Sequence, residues 1–147
     1  MNIYRGTIED LPNILKIEER VFPESPWNKE MLRNALQHKP DRQTWILESN
    51  KQIIGYLMAR YGLNEVHLIN IVIDTPFQMQ GIGRVFLNLF LDQIPSQSTV
   101  FLEVKRSNFP ALNIYLDSGF QEIGVCDGYY SDGEDAIVMK WHRTHIN

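Results

Sequence analysis

The chain has 147 residues, of which 44% are hydrophobic and 22% are charged, and its formal net charge is −4. This length and composition are typical of one folded domain with a hydrophobic core, and they exclude a chain that is disordered throughout. The lack of a long apolar run argues against a membrane partner, and the lack of a basic stripe argues against direct binding of nucleic acid. We therefore expect a single domain over residues 1–147, and the absence of a signal-peptide pattern favours a cytoplasmic location.

The first part of the chain predicts two helices after a possible strand at residues 2–4. Thr7 followed by Asp10 resembles a capping box, and apolar residues recur behind it at helical spacing. This helix should end near Phe22-Pro23, because the residue before a proline avoids the helical region. Asn28 can cap a second short helix that has one apolar face.

The remaining segments predict a mixed sheet. Residues 43–48, 52–59 and 65–73 have the composition of three successive strands, hence an antiparallel meander. Residues 81–93 predict a helix so apolar that it packs on the sheet and is covered on much of its circumference. A strand at 99–104, a helix at 109–118 followed by Gly119, and strands at 120–126 and 135–141 complete the chain. This order predicts an α/β (α+β) fold, with a mixed central sheet of about six to seven strands and about four helices.

Residues 78–84, Gln-Met-Gln-Gly-Ile-Gly-Arg, lie between an apolar strand and an apolar helix. Spaced glycines let the backbone approach an anion, and the free N–H groups at a helix start hold phosphate without a lysine. Gly81 and Gly83 would give the clearance, and Arg84 would add a charge at the mouth. The dinucleotide fingerprint fails because Phe86 stands where its third glycine is needed, and no Walker sequence follows. A tight turn that only lets helix and strand pack is the alternative.

Two side chains beyond this loop suit proton transfer. Glu103 faces away from the apolar residues Leu102 and Val104, near the C-terminal end of its strand, where a carboxylate can act as a general base. Tyr115 lies on the next helix, close enough to reach the same cleft. An amide-forming transfer needs the amine to lose a proton and the departing thiolate to gain one. The alternatives are a solvated glutamate and a core tyrosine.

These segments resemble a known family. Residues 78–83 resemble the Q/R-x-x-G-x-G/A coenzyme A loop of the GNAT N-acetyltransferase superfamily, and residues 102–108 with Ala111, Tyr115 and Gly119-Phe120 resemble the second half of that fold. Residues 70–74 and 129–139 are similar to the RimI branch, the ribosomal-protein-alanine N-acetyltransferases. The resemblance runs from Ile3 to about Met139, so it covers nearly the whole chain.

The resemblance implies direct transfer from acetyl-CoA to an N-terminal α-amine in a ternary complex, ideally an alanine on a small-subunit ribosomal protein. Glu103 would be the proton acceptor and Tyr115 the proton donor, with no metal and no acyl-enzyme. A monomer or weak homodimer is expected. The residues that would hold acetyl-CoA are those of the strand, the glycine loop and the second cleft wall: Ile71, Val72, Ile73, Met79, Gln80, Gly81, Ile82, Gly83, Arg84 and Asn108.

Two departures from the branch leave the acceptor open. Phe109-Pro110 stands where small residues are common, and the segment 22–27 carries an extra Pro-Glu-Ser beside the expected acceptor site. The same fold serves enzymes for lysine, polyamines or other small amines. A regulatory module that only binds coenzyme A is a further alternative, against which the intact pair of Glu103 and Tyr115 argues.

Several other residues have two interpretations each. His142 and His145 are expected to belong to a terminal tail rather than a metal site, and Cys126, the one cysteine, excludes an internal disulfide. His67 is expected to be a packed or hydrogen-bonded strand residue. The last hairpin forms either an aromatic and acidic rim for a basic peptide or ordinary turn chemistry, through Tyr129, Tyr130, Asp132, Glu134 and Asp135. Trp27 and Trp45 are expected in the core or lining a groove.

Overall fold

The computed structural model describes residues 1–143, and over this range it has a seven-stranded sheet in the order β1-β2-β3-β4-β5-β7-β6. The strands are β1 (Asn2–Arg5), β2 (Arg42–Ser49), β3 (Gln52–Gly62), β4 (Glu65–Ile73), β5 (Thr99–Lys105), β6 (Gln121–Cys126) and β7 (Ala136–His142). The α-helices of the same range are α1 (Leu11–Val21), α2 (Lys29–Leu36), α3 (Ile82–Leu91) and α4 (Phe109–Asp117). None of these helices has the length and apolar character needed to cross a membrane.

Local capping signals set the starts of the first two helices, as predicted. The Thr7 backbone N–H donates to Asp10 Oδ2 at 2.9 Å, and the Thr7 hydroxyl accepts from the backbone of Glu9, which starts a 3-10 turn that leads into α1. Asn28 Oδ1 accepts from the Met31 N–H at 2.9 Å at the start of α2. Because α1 ends at Val21, the proline-containing segment that follows is free to form a loop between the helices.

The sheet divides into two parts that diverge. Strands β1 to β4 form the predicted antiparallel meander, and β5, β7 and β6 form a second antiparallel group. The two groups are joined by parallel pairing of β4 and β5 from Glu65↔Thr99 to His67↔Phe101. Beyond His67 a β-bulge places Ile69 between the residues that pair with β3, and such a bulge bends its strand. In the part of the chain that the structure describes, residues 68–73 of β4 therefore have no strand partner on the β5 side.

Apolar side chains fill both faces of the sheet. One cluster lies under α3 and α4 and joins both strand groups through Phe86 and Phe90. The other lies under α1 and α2. The helix α3 is covered on a narrower arc than its composition predicts, because Val85 is 43% exposed while five other residues of the helix are buried.

An ion pair between the half-exposed Arg20 and the buried Asp74 ties the end of β4 to α1. The Asp74 carboxylate accepts hydrogen bonds from Arg20 Nε at 3.0 Å and Arg20 Nη2 at 2.7 Å. The same carboxylate caps the following 3-10 turn by accepting from the Thr75 N–H at 2.8 Å. Because Asp74 is buried and fully hydrogen-bonded, the point where β4 leaves the sheet is held in one position.

Candidate functional site

A cavity of about 440 Å³ opens where β4 and β5 diverge. Its walls come from β4, the C-terminal end of β5, the first turn of α3, α4 with its N-cap, and the loops that contain Phe22 and Tyr130. The lining residues are Phe22, Ile69, Asn70, Ile71, Ile73, Gly83, Glu103, Val104, Lys105, Asn108, Ala111, Ile114, Tyr115 and Tyr130. The predicted residues Ile71, Ile73, Gly83, Asn108, Glu103 and Tyr115 are thus brought to one cleft.

The other residues predicted to bind a coenzyme lie beside the cavity rather than in it. Val72 is buried, and its side chain packs in the cluster under α1 and α2, so only its backbone is available to the cleft. Ile82 is buried in the cluster under α3. Met79, Gln80 and Gly81 are exposed in the loop that leads from β4 to α3. Their position at a helix start is the one predicted for an anion cradle.

The loop is shaped by its own side chains. The Gln78 side-chain amide donates to the Ile73 carbonyl at 2.9 Å, and that of Gln80 donates to the Pro76 carbonyl at 3.2 Å. Gly81 is the N-cap of α3 and has φ of 76°, a left-handed conformation that glycine adopts without strain. No side chain caps this helix in the described residues, and the first N–H groups of any helix lack a partner within it. The start of α3 therefore offers free backbone donors to an anion.

Arg84, which the sequence predicts to add a charge at the mouth of the loop, forms an ion pair with a residue of α4. Its Nη2 atom lies 2.7 Å from Asp117 Oδ2, and both side chains are about half exposed. The pair joins α3 to α4 at the rim of the cavity. Much of the positive charge expected at the loop is therefore balanced by α4.

The Glu103 carboxylate is largely shielded from solvent and is hydrogen-bonded through both of its oxygens. The strand alternates as predicted, with Leu102 and Val104 buried, while the Glu103 side chain is 19% exposed. Its Oε2 atom lies 2.8 Å from His67 Nε2, and its Oε1 atom accepts from the Tyr129 hydroxyl at 3.3 Å. The negative charge of Glu103 raises the pKa of the Tyr129 hydroxyl, which keeps that group protonated as a donor.

Tyr115 is a buried phenol at the wall of the same cavity. The residue is 9% exposed, and its ring packs edge-to-face on Phe120 with centroids 5.6 Å apart. Burial, with a further contribution from Tyr130, raises the pKa of Tyr115 to about 12. The phenol therefore keeps its proton at neutral pH, and in the described residues its hydroxyl forms no hydrogen bond to another side chain.

Comparison with known proteins agrees with this geometry. A family model described as the acetyltransferase (GNAT) domain matches residues 10–143. The chain belongs to the GNAT acetyltransferase family. The predicted fold class and the predicted family are both confirmed, and the chain is an acetyltransferase.

Individual relatives extend over most of this GNAT chain. The ribosomal protein bS18-alanine N-acetyltransferase of Escherichia coli K12 is 32% identical over 136 residues, which are 88% of this chain and 89% of that protein. The N-alpha-acetyltransferase of Sulfurisphaera tokodaii is 27% identical over 93% of this chain and 90% of its own length. The crystal structure of the ribosomal-protein-S18-alanine N-acetyltransferase from Escherichia coli superposes with a TM-score of 0.86 at 29% identity, covering 99% of this chain and 97% of that one.

The GNAT site includes two groups whose importance the sequence did not reveal. His67 is hydrogen-bonded, as predicted, but its partner Glu103 was not foreseen, because the two residues meet only through the parallel pairing of β4 with β5. Asn70 lines the cavity, and its Oδ1 atom is buried without a hydrogen-bond partner in the described part of the chain. Asn70 lies next to the bulge at Ile69, and no sequence feature indicated that bulge.

The last hairpin of this GNAT domain fits each of its two interpretations, an aromatic and acidic rim or turn chemistry, in part. The aromatic residues face the site, since Tyr130 lines the cavity and Tyr129 contacts Glu103. The acids fold the loop, because Asp132 accepts from Lys105 Nζ at 2.7 Å, Glu134 from the Ser107 N–H at 2.7 Å, and Asp135 from the Gly128 N–H at 3.0 Å. The rim is therefore aromatic, and these acidic residues hold the hairpin through one bond within it and two bonds to Lys105 and Ser107 outside it.

The remaining predictions concern histidines and tryptophans. Among the residues that the structure describes, no group of three or more His, Cys, Asp or Glu side chains is placed to hold a metal ion. The expectation that His142 belongs to a terminal tail is wrong, because it is the last residue of β7, pairs with Thr99 of β5, and has its Nδ1 atom 2.9 Å from the Thr99 hydroxyl. His145 lies outside the described residues. Trp27 lines a groove and packs against the cluster under α1 and α2, while Trp45 packs against the other cluster, as predicted.

Proposed function

We propose that this acetyltransferase uses acetyl-CoA to acetylate the α-amine of a polypeptide N-terminus, with alanine on a small-subunit ribosomal protein as its preferred acceptor. The observation that supports this most is that Glu103 and Tyr115 both line one cavity of about 440 Å³. The activities of the Escherichia coli and Sulfurisphaera relatives, an alanine N-acetyltransferase and an N-alpha-acetyltransferase, support the same class of acceptor.

The residues present fit acetyl-CoA, which supplies the acetyl group as a thioester. The unpaired edge of β4 offers backbone groups of Ile71, Val72 and Ile73 to the acyl and pantetheine portion. The loop from Met79 to Arg84 offers the free N–H groups at the start of α3 to the pyrophosphate. The Asn108 side chain accepts from the Ala111 N–H at 3.3 Å through Oδ1, which leaves its amide N–H groups for the coenzyme chain.

Glu103 is the proposed proton acceptor. An α-amine with a pKa of about 8 is roughly one-tenth neutral at pH 7, so a carboxylate is base enough to take the proton as the N–C bond forms. His67 and Tyr129 contact the two oxygens of Glu103 separately, which fixes the plane of the carboxylate toward the cavity. A lysine side chain, with a pKa of about 10.4, would require a stronger base.

Tyr115 is the proposed proton donor to the departing sulfur. Its pKa of about 12 lies above the usual thiol value of about 8.5, so the neutral phenol first stabilises the sulfur charge by donating a hydrogen bond. Burial raises the pKa of a thiol as well, which brings the two groups closer in proton affinity. As the C–S bond breaks, the phenol proton passes to sulfur, and the phenolate regains a proton from solvent after product release.

The test is release of free thiol from acetyl-CoA with two peptides of one sequence. One peptide begins with a free alanine, and the other has a blocked N-terminus and a free internal lysine. Release only with the free α-amine is the expected result. Release only with the blocked peptide would assign the acceptor to lysine. Bound acetyl-CoA with no release from either peptide would favour a small-amine enzyme or a coenzyme-binding module.

A further inference from the structure

Lys105 is an amine of the protein itself that lies in the proposed cavity for acetyl transfer. It is the last residue of β5, and it lines the cavity together with Glu103, which lies two residues earlier on the same face of the strand. No other lysine in the described part of the chain lines this cavity. The wall beside the proposed base therefore carries a second amine that could compete for the acetyl group.

Two contacts with the last hairpin hold the Lys105 ammonium. Its Nζ atom donates to Asp132 Oδ2 at 2.7 Å and lies 5.2 Å from the centre of the Tyr130 ring. The other oxygen of Asp132 accepts from the Glu134 N–H at 2.9 Å, so the carboxylate has a fixed position in the turn. The hydrogen bond to Asp132, with the charges of Asp132 and Glu134, raises the pKa of Lys105. At a given pH, a smaller share of this amine is thus neutral than of an ordinary lysine.

Acetylation of Lys105 requires the ammonium to leave Asp132. The ammonium must lose one proton to solvent before its nitrogen can bond to the acetyl carbon of acetyl-CoA. As that N–C bond forms, the C–S bond breaks, the nitrogen loses a second proton and the departing sulfur gains one, which gives acetyl-lysine and free coenzyme A. The product has no charge, so it could form neither the ion pair with Asp132 nor the cation–π contact with Tyr130. The hairpin would then lose two of its contacts with β5.

We propose that Lys105 is a protected modification site, an internal acceptor of the acetyl group, and that Asp132 prevents its acetylation by holding the ammonium away from the thioester. The flexible four-carbon stem of lysine lets Nζ turn toward Glu103 once that contact is removed. Because donor and amine share one cavity, proximity offsets part of the proton affinity of a lysine amine. The proposal rests on the proposed function only in that acetyl-CoA binds in this cavity, and it requires no particular external acceptor.

The test is self-acetylation in the absence of any peptide. The full-length protein is incubated with acetyl-CoA at mildly alkaline pH, and peptide mapping by mass spectrometry follows the acetyl groups on Lys105 and Lys140. Lys140 is an exposed lysine outside the cavity, so it reports acetylation that needs no enzyme. In the wild-type protein, Lys105 should be acetylated no faster than Lys140. In Asp132→Asn, Lys105 should be acetylated about fivefold faster than in the wild type, the upper range for loss of an exposed ion pair, while Lys140 is unchanged.

Two controls separate the ion pair from other effects of the substitution. Asparagine at position 132 keeps an oxygen for the Glu134 N–H, so the turn is preserved. Asp127→Asn removes an exposed acid of the same hairpin that forms no hydrogen bond or ion pair with its side chain among the described residues, and it should behave as the wild type. Excess coenzyme A should slow the acetylation of Lys105 in Asp132→Asn and leave that of Lys140 unchanged, because the first reaction takes place in the cavity.

Three results would overturn the proposal: acetylation of Lys105 in Asp132→Asn at the wild-type rate, an equal gain in Asp127→Asn, or a rate that excess coenzyme A does not lower. Self-acetylation of Asp132→Asn without acetylation of an alanine peptide would support the protected lysine and remove the proposed external acceptor. Acetylation of the alanine peptide, with Lys105 of Asp132→Asn no more reactive than Lys140, would remove the protected lysine alone.

Discussion

The buried Glu18 carboxylate offers the sharpest test of how the loop between α1 and α2 is held. It lies in the cluster under α1 and α2, where the fully buried Tyr56 donates its hydroxyl proton to Oε1. The other oxygen, Oε2, accepts from the backbone N–H of Trp27 at 2.9 Å. Burial, together with the charge of Glu18, raises the pKa of Tyr56, so its hydroxyl remains a donor. One carboxylate thus anchors the loop between α1 and α2, whose first residue, Phe22, lines the cavity between β4 and β5.

The Tyr56→Phe substitution removes one of the two donors and little volume. A hydrogen bond to a charged group contributes about 1.5–3 kcal/mol, and a buried carboxylate left short of a donor adds its desolvation cost. We expect the free energy of unfolding to fall by about 2–4 kcal/mol, which lowers the melting temperature by roughly 4–16 °C in a domain of this size. The looser loop should raise the KM for the acceptor peptide and leave acetyl-CoA affinity unchanged.

Thermal unfolding followed by circular dichroism gives the stability, and thiol release at varied peptide concentration gives the KM. Tyr61→Phe is the matched control, because its hydroxyl accepts only a long 3.4 Å hydrogen bond from Trp45 Nε1 and is not paired with a charge. Its cost should stay below about 1.5 kcal/mol. Equal losses in the two variants would refute the argument that Glu18 anchors the loop through a charge-assisted bond.

Four other predictions test the site and its support. Tyr115→Phe should lower kcat about 100-fold or more while acetyl-CoA affinity stays within about twofold, and an unchanged kcat would remove it as the proton donor. Between pH 10 and 12 the unfolded tyrosine ionises while Tyr115, with its pKa of about 12, stays protonated in the folded state, so the stability of the protein falls as pH rises. Tyr115→Phe should make this alkaline loss of stability smaller. Glu103→Gln should lower kcat about 100-fold or more because it removes the proposed base, and an unchanged kcat would point to another base. His67→Ala should lower kcat by a smaller factor because it releases one oxygen of that carboxylate, and His67→Gln should restore part of the loss. Gly55→Ala should cost about 1–3 kcal/mol of stability and weaken acetyl-CoA binding, because the added Cβ would lie 2.6 Å from a β4 carbonyl oxygen. Gly62→Ala in the same strand is the control, because a Cβ there would meet nothing within 4 Å. Equal melting temperatures of the two variants would contradict this account.

Features that depend on neighbouring residues were predictable from the sequence. The cap at Thr7, the cap at Asn28 and the glycine at position 119 each act within one helical turn, and they place the helix ends where the structure has them. The alternation of β5 likewise predicted the separate face of Glu103. The resemblance in the glycine loop predicted the family, because that loop combines several local requirements in seven residues.

Features that depend on strand register were not predictable. His67 contacts Glu103 because β4 and β5 pair in parallel for a short stretch, and no local pattern specifies that register. The bulge at Ile69 contains no glycine from which it could have been predicted. Arg84 and Asp117 meet only when two helices pack beside each other, so a charge assigned to the loop was in fact shared with α4.

Because β4 and β5 pair over a short stretch only, the sheet consists of two leaves, β1–β4 and β5–β7, that are joined along one short junction. Three residue pairs and the apolar layer beneath α3 connect the leaves, and farther along, each leaf ends in an edge that faces the other. Under the proposed function, the donor molecule lies along the β4 edge and supplies hydrogen bonds that a neighbouring strand would otherwise make. The donor molecule then takes the place of a strand between the two leaves, so the connection between them changes each time that molecule binds and leaves.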